Sequence, residues 1–582
     1  RQPDAAVRQL HQQALATGER DLLFALAEMS YVAGEHIRRS VKPWDPRDAR
    51  DYYLGSAVYA SLFLFGEGKD AQPSAFDRRF RRACDFYNYG LGLALTGRRS
   101  TNAVVRLENG RRRLPVGEIE LRLGQTDLAS RLDEFEQFLM ADRFRVRGLT
   151  VRNRKPGVGA PLLAVGRLNA ELGVRRCSPA TVLLRVQGSL AEVDAGTSSG
   201  SLEVYSAFGK TRVAIGDSQV PLETDLTTHT AYALNQSSVW KLGFAQFFSA
   251  ESQVKTCVRL VEPYSPGQIP VVFVHGTASS PVWWAEMWNT LNADPVLRKR
   301  YQFWMFNYAS GNPIPYTAGI LRNELMNEIK VLDPEGKDPA LRDMVIIGHS
   351  QGGMLAKLTA TDTGDKLWRL ISDQNIDELD TDPQTRGLLR SNCFFTPLPC
   401  VKRVIFIATP HRGSYRNTTF VQKLLNRFIK LPGDLVNGSA SLLKVQDKIH
   451  LPESVRRGVP TSLNSMAIDN PFMLTLADIP VAPGIKANSI IAIHGKDQPP
   501  NGDDGVVKYS SAHVDYAESQ YIVRSSHSCQ GNPCTIEEVR RILHEHLKHL
   551  DPEPGENRNQ PRPDAMNTGR TNLPSSTSEV LP

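Results

Sequence analysis

Met344-Val345-Ile346-Ile347-Gly348-His349-Ser350-Gln351-Gly352-Gly353 joins an apolar run to a serine bracketed by glycines, and Met354-Leu355-Ala356-Lys357-Leu358 continues at helical spacing. The run reads as a strand buried on both faces of a parallel sheet, and the continuation as a helix. A serine at so sharp a strand-to-helix turn has its hydroxyl pushed clear of the fold, and a side chain at 348 or 352 would collide across the turn. The pentad alone arises readily by composition. Its flanking strand and helix make Ser350 the candidate nucleophile.

An elbow of this kind needs oxyanion donors upstream and two polar partners downstream. Upstream, Ile269-Pro270-Val271-Val272-Phe273-Val274 is a hydrophobic strand ending in His275-Gly276-Thr277. The loop amide at Thr277 and the amide after the nucleophile, at Gln351, are the expected donors. His275, at the strand end beside a glycine, reads as shaping the loop and not as a base.

Downstream the chain order should be serine, acid, histidine. Val404–Ala408 and Ser489–Ile493 are the next strand candidates, and Gly502-Asp503-Asp504-Gly505-Val506-Val507 follows the second. A carboxylate in a turn beside glycine, just beyond a strand, can reach an imidazole on the neighbouring loop. Asp504 is the first choice, with Asp503 and Asp497 behind it. The strand candidate Ser519–Val523 then runs into Arg524-Ser525-Ser526-His527. His527 is the expected base, since His513 precedes that strand and His544, His546 and His549 read as members of the final helix.

These segments, with Ala408-Thr409-Pro410-His411-Arg412-Gly413-Ser414 and Ser511-Ala512-His513, give residues 268–550 a recognisable outline. The stretch resembles a bacterial lipase or esterase of the α/β-hydrolase superfamily, similar to GPI-inositol deacylase-like proteins and extracellular triacylglycerol lipases. The resemblance implies a mostly parallel sheet flanked by helices and a triad of Ser350, Asp504 and His527. It favours the aspartate before Gly-Val-Val as the acid and puts His411 at the border of the site. The implied reaction is ester cleavage through an acyl-enzyme, on lipid or other acyl esters, with no cofactor or metal. Acyl transfer or phospholipase action on the same site stays open. So does an envelope interaction protein with a secondary hydrolase domain.

Residues from about 412 to 487 exceed a crossover helix and suggest a cap. Within them Phe420, Val421, Leu424, Leu425, Phe428, Ile429 and Leu431 recur at helical spacing among basic residues, fitting either a lid at a lipid surface or an ordinary packed helix. Phe420, Trp283, Trp284, His275, His349 and His411 are the candidate substrate-contacting residues.

At 582 residues the chain is long for one hydrolase core, and its hydrophobic content of 41% suits a globular protein. No apolar run approaches the roughly 18 residues needed to cross a membrane. The net charge of +7 is mild, and no nucleic-acid module is visible. Local clusters at Arg111–Arg113 and at Arg78, Arg79, Arg81 and Arg82 could touch an acidic lipid or polymer surface, though solvated charge is the commoner outcome.

Residues 1–100 read as a helical domain. Two stretches ending in Gly-Glu, at Gly34-Glu35 and Gly66-Glu67, echo one another and suggest a helical repeat offering a protein-binding surface, against an ordinary bundle. Residues 101–262 read as a β-rich accessory domain partly paired with the hydrolase, with strands near 103–107, 117–123, 181–186 and 201–205. Residues 551–582 read as a disordered tail. The close cysteine pairs Cys393/Cys400 and Cys529/Cys534, and a chain beginning at Arg1 with no initiator methionine, suggest an extracytoplasmic bacterial protein whose leader has been removed.

Overall fold

The computed structural model describes residues 3–39, 47–67, 71–97, 104–128, 131–169, 174–236, 256–262, 264–277, 279–414, 466 and 470–550. Phe420, the apolar stripe that follows it and the C-terminal stretch 551–582 lie outside the described residues.

Four helices open the chain: Pro3–Thr17, Arg20–Arg39, Ala49–Phe65 and Arg78–Ala94. Asp48 and Asp77 cap the third and fourth, each side chain accepting from a backbone N–H two residues on. The third helix is buried almost all round, from Tyr52 to Leu64. Its apolar character on every face is that of a core helix, covered by its neighbours.

A seven-stranded mixed sheet follows. Its spatial order is Val104–Val105, Phe135–Met140, Ala160–Asn169, Val174–Gln187, Ser198–Ser206, Glu118–Thr126 and Gly110–Arg113. Only the pair Glu118–Thr126 with Ser198–Ser206 is parallel. The helices and this sheet share one apolar core, so the stretches read as 1–100 and 101–262 pack directly on each other. The Tyr87 hydroxyl both donates to the Leu184 carbonyl and accepts from the Leu184 N–H, which ties the fourth helix to the longest strand.

Residues 257–550 build a second sheet, ordered Cys257–Leu260, Tyr301–Asn307, Ile269–Val274, Met344–His349, Val401–Ile407, Lys486–Ile493 and Ser519–Arg524. The first strand is antiparallel and the rest are parallel. Side chains alternate between two cores: Val272, Val274, Ile346, Val404 and Phe406 face one, while Val271, Phe273, Val345, Ile347 and Ile405 face the other. The helices Ile314–Leu332 and Gln351–Thr359 cover the first face; Ala285–Leu291 and Pro533–Leu550 cover the second. Both faces are therefore dry, as the unbroken apolar strands require. Each fully buried Val or Ile contributes about 1.5 to 3 kcal/mol to holding this frame.

The two sheets do not pair with each other. The halves meet through the helix Ala285–Leu291 instead. Glu286 accepts from the backbone N–H groups of Thr150 and Val151 at 2.8 and 3.3 Å. Buried Asn289 donates to the Val151 carbonyl and accepts from the Thr227 hydroxyl on its side chain and from Asn153 on its carbonyl.

Cys393, Cys400, Cys529 and Cys534 are free thiols; Cys529 is buried while Cys534 is exposed, so the close pairs form no bridge. Among the described residues no helix is long and apolar enough to cross a membrane. The cluster Arg79, Arg81 and Arg82 is paired with Asp77, Asp21, Asp85, Glu223 and Glu28, and Arg111 and Arg112 face Glu118 and Glu108.

Lys357, on the helix after Ser350, is fully buried and donates to the carbonyls of Leu476 and Ala477 at 2.6 and 3.4 Å. Burial, with a smaller push from Arg412, lowers its ammonium from the usual 10.5 to about 7. Between those values the unfolded chain binds a proton that the folded chain does not, so this group makes stability rise with pH across that window. The stability difference between parent and Lys357→Met is expected to shift in the parent's favour from pH 7 to pH 10, by at most about 1.4 kcal/mol per pH unit. Thermal unfolding of both proteins across that range measures it.

Candidate active site

Ser350 occupies a backbone position that side chains seldom adopt, with φ 54° and ψ −122°. The turn is closed by its glycines. A Cβ at Gly348 would stand 2.3 Å from the Gly352 carbonyl oxygen, and one at Gly352 would stand 2.1 Å from that of Val274. The Ser350 N–H donates to the Ile407 carbonyl at 2.8 Å, which fixes the turn to the next strand. The hydroxyl is thus held at the C-terminal edge of the sheet between two packed loops.

The Ser350 Oγ lies 2.9 Å from Nε2 of His527, and Nδ1 of His527 lies 2.7 Å from Oδ2 of Asp504. Three side chains from three loops therefore form one hydrogen-bonded line. Asp504 is buried, and its second oxygen, Oδ1, accepts from the backbone N–H groups of Val506 and Val507 at 2.8 and 2.7 Å. The Asp-Gly-Val-Val turn is what supplies those donors. His527 also donates its own N–H to the Asp504 carbonyl, so the two loops are joined by backbone as well as side chain. Asp503 turns elsewhere, accepting from the Gly505 N–H, and Asp497 presents its backbone carbonyl to Arg524.

The loop after Ile269–Val274 lies against the elbow. A Cβ on Gly276 would come within 3.0 Å of the Ser350 Cβ. The Thr277 hydroxyl donates to the Gln351 side-chain carbonyl at 2.6 Å, linking the two residues expected to carry the oxyanion donors. Neither the Thr277 nor the Gln351 backbone N–H is engaged in a hydrogen bond among the described residues. Thr277→Val leaves the buried Gln351 oxygen without its donor, a loss of about 1 to 3 kcal/mol in comparable burials. The expected result is a kcat about tenfold or more below the parent with little change in KM, read from steady-state kinetics on a p-nitrophenyl ester.

The remaining sequence candidates divide. His349 is buried and its Nε2 donates to the His527 carbonyl at 2.9 Å, so it braces the histidine loop. Burial, aided by the nearby His527, holds its ring at about 3, well below an ordinary imidazole, which keeps it neutral with the proton on Nε2. His275 is buried and stacked 4.2 Å from the Tyr308 ring, while the Tyr308 hydroxyl donates to the His275 carbonyl. It shapes the loop. Trp284 is a core residue stacked on Phe273 at 4.8 Å, whereas Trp283 is 50% exposed. His411 is fully enclosed, edge-on to Phe406, with neither ring nitrogen hydrogen-bonded among the described residues. Burial lowers it well below the usual range. His544 and His546 belong to the final helix and bond to Asp294 and to the Asp343 carbonyl. His513 joins Asp515 and Gln520 away from this line.

Sequence reading passed over Tyr308, and it quoted Val506 and Val507 without assigning their amides a role. Tyr308 follows a strand rich in aromatics, and the two valine amides are signalled only by the glycine that lets the turn close.

No family model matches the chain, and no curated protein does. Among solved structures it is similar over 49% of its length to 97% of the mature Bacillus licheniformis lipase BlEst2, at 14% identity and TM-score 0.29. It is similar over 50% of its length to the whole of a lipase-esterase related protein from Clostridium acetobutylicum, at 12% identity and TM-score 0.26. A third, over 50% of this chain and 98% of the other, is the type II thioesterase YbtT, at 13% identity and TM-score 0.23. The strand order of the second sheet in this chain, and its strand-turn-helix at Ser350, are those of an α/β-hydrolase fold.

Proposed function

We propose that the chain is a serine hydrolase of carboxylic esters that works through an acyl-enzyme. The single observation that carries the reading is the unbroken line from Ser350 Oγ through His527 to Asp504. In this reading His527 takes the hydroxyl proton at Nε2 as Oγ attacks the ester carbonyl, and Asp504 holds the imidazole with its proton on Nδ1 and stabilises the imidazolium. The backbone N–H groups of Thr277 and Gln351 receive the developing oxyanion, a stabilisation of about 3 to 4 kcal/mol per well-placed donor. The proton on Nε2 then passes to the departing alcohol, and water repeats the sequence on the acyl-enzyme. Lipid and other acyl esters are the proposed substrate class.

Labelling with a fluorophosphonate tests the reading. The parent should form a stable adduct at Ser350 as fluoride leaves, and Ser350→Ala should not. An unreactive parent, or equal labelling of both, would reject it. A series of p-nitrophenyl esters of increasing acyl length then separates esterase from lipase behaviour.

A further inference from the structure

Among the described residues, Ser350 and Ala408 are the two that hold a positive φ without being glycine, Ala408 at 47°. Each directly follows a strand, and the two strands, Met344–His349 and Val401–Ile407, are parallel neighbours. A non-glycine residue keeps so strained a conformation only where its surroundings fix it. Here the Ala408 N–H donates to the Ile490 carbonyl at 2.9 Å. The next residue, Thr409, lies against the elbow helix, where a Cβ on Gly353 would stand 1.9 Å from its Oγ1. Residues 410–414 then lead from the elbow to the turn that carries Asp504.

That far end is fastened by hydroxyls. Ser414 Oγ donates to the Val506 carbonyl at 2.8 Å, and Ser511 Oγ donates to the Gly413 carbonyl at 2.6 Å while accepting from the Arg412 N–H at 3.1 Å. Both serines are buried, so water competes little for these bonds. The Val506 carbonyl belongs to the same peptide group as the Val507 N–H, and that N–H donates to Asp504 Oδ1 at 2.7 Å. One line of hydrogen bonds therefore runs from Ser414 through the 506–507 peptide to Asp504, and on through His527 to Ser350. A peptide whose carbonyl accepts a hydrogen bond is the stronger donor at its own N–H.

Resting on the serine-hydrolase reading, we propose that Ser414 is a positioning residue for the reaction, acting on Asp504 through the 506–507 peptide. A hydroxyl that only tied two loops together would support stability and leave the rate per folded molecule unchanged. Ser414 does more because of which peptide it holds. If that peptide plane turns, the Val507 N–H leaves Oδ1, and the carboxylate is free to rotate away from Nδ1 of His527. Ser511 Oγ, by contrast, bonds to Gly413 and Arg412, so it seats the same stretch without holding the peptide that meets Asp504.

The test is a double-mutant cycle on the full chain, with Ser414→Ala, Asp504→Asn and the pair, read from single-turnover and steady-state rates on a p-nitrophenyl ester. Ser414→Ala should lower kcat about tenfold, the scale of one lost hydrogen bond, with KM within about twofold of the parent. In the Asp504→Asn background the same change should cost less than about twofold, because the carboxylate it orients is already gone. Asp504→Asn is expected to keep a rate about two decades above that of Ser350→Ala, which leaves room to read a further tenfold fall. Thermal unfolding of each variant gives the folded fraction to which its rate is referred. Losses that multiply in the pair, a Ser414→Ala kcat within about twofold of the parent, or a loss confined to KM would each overturn the proposal. A parent that neither turns over the ester nor takes the fluorophosphonate label would reject the hydrolase reading itself. An active, labelled parent beside an unimpaired Ser414→Ala overturns the role of Ser414 alone.

Discussion

Replacing Ser350 by alanine is expected to lower kcat on a p-nitrophenyl ester by about 10⁶-fold, the scale seen when the nucleophile of a serine–histidine–aspartate site is removed. The expectation follows from geometry. Ser350 Oγ is the hydroxyl 2.9 Å from His527 Nε2, and the strained turn that presents it is closed by backbone and glycines, which alanine leaves in place. The variant should therefore fold like the parent, with an unchanged circular dichroism spectrum, while residual turnover reflects only the free amides at Thr277 and Gln351. Single-turnover and steady-state rates on matched preparations measure the effect. A loss below about tenfold would remove Ser350 from the chemistry, since deleting a nucleophile abolishes the covalent route itself.

Asp504→Asn is expected to cost about 10⁴-fold in kcat, through the tautomer of His527 and not through loss of structure. Two backbone N–H groups, from Val506 and Val507, point at Oδ1 and admit only an acceptor there. The new amide must therefore place its oxygen at that position and its NH₂ where Oδ2 met His527. A donor facing Nδ1 forces the ring proton to Nε2, which then points at Ser350 and cannot accept its proton. Asp503→Asn and Asp497→Asn should each stay within about tenfold of the parent, because the carboxylate bonded to His527 Nδ1 is that of Asp504. Comparing kcat for the three variants decides which carboxylate serves the histidine; a large loss at Asp503 alone would move the role there.

Much of the catalytic half was legible in the sequence because a parallel sheet buried on both faces writes itself as short apolar runs. Ile269–Val274 was read at its observed limits, and Met344–His349 and the later strands to within a few residues. Tyr301–Asn307 escaped notice: its run of Tyr, Phe and Trp with an internal Gln has neither strict alternation nor an all-aliphatic stretch. The first half was harder for a different reason. Its longest strand, Val174–Gln187, contains Arg, Cys, Ser and Pro along one half, so only the aliphatic end near 181–186 reads as a strand. Phe135–Met140 and Ala160–Asn169 carry Glu, Gln, Gly and Asn that local propensity places in turns. Tertiary pairing overrode that preference.

For the site, chain order and turn glycines put Ser350, Asp504 and His527 first among the candidates, the family resemblance favoured Asp504 over Asp503, and the structure brings the three side chains together. Chain order and glycines could not tell a tryptophan that lines a surface from one that fills a core. Trp283 and Trp284 are adjacent, yet one is half exposed and the other stacks on Phe273, because a turn of 3-10 helix sends successive side chains in different directions. The brace from His349 to the His527 carbonyl was equally silent, since it joins residues 178 apart in the chain.

The Asn289 junction bears on how this protein could be engineered. Its side chain and backbone satisfy Val151, Asn153 and Thr227 together, at a position only 2% exposed. A catalytic cassette cut out at residue 257 would open that amide and the neighbouring Glu286 to solvent along one whole helix, and a foreign leading half would have to offer the same three partners in the same register. The two halves are thus not interchangeable parts: any chimera that keeps Ser350 has to graft the segment 150–153 and Thr227 along with it.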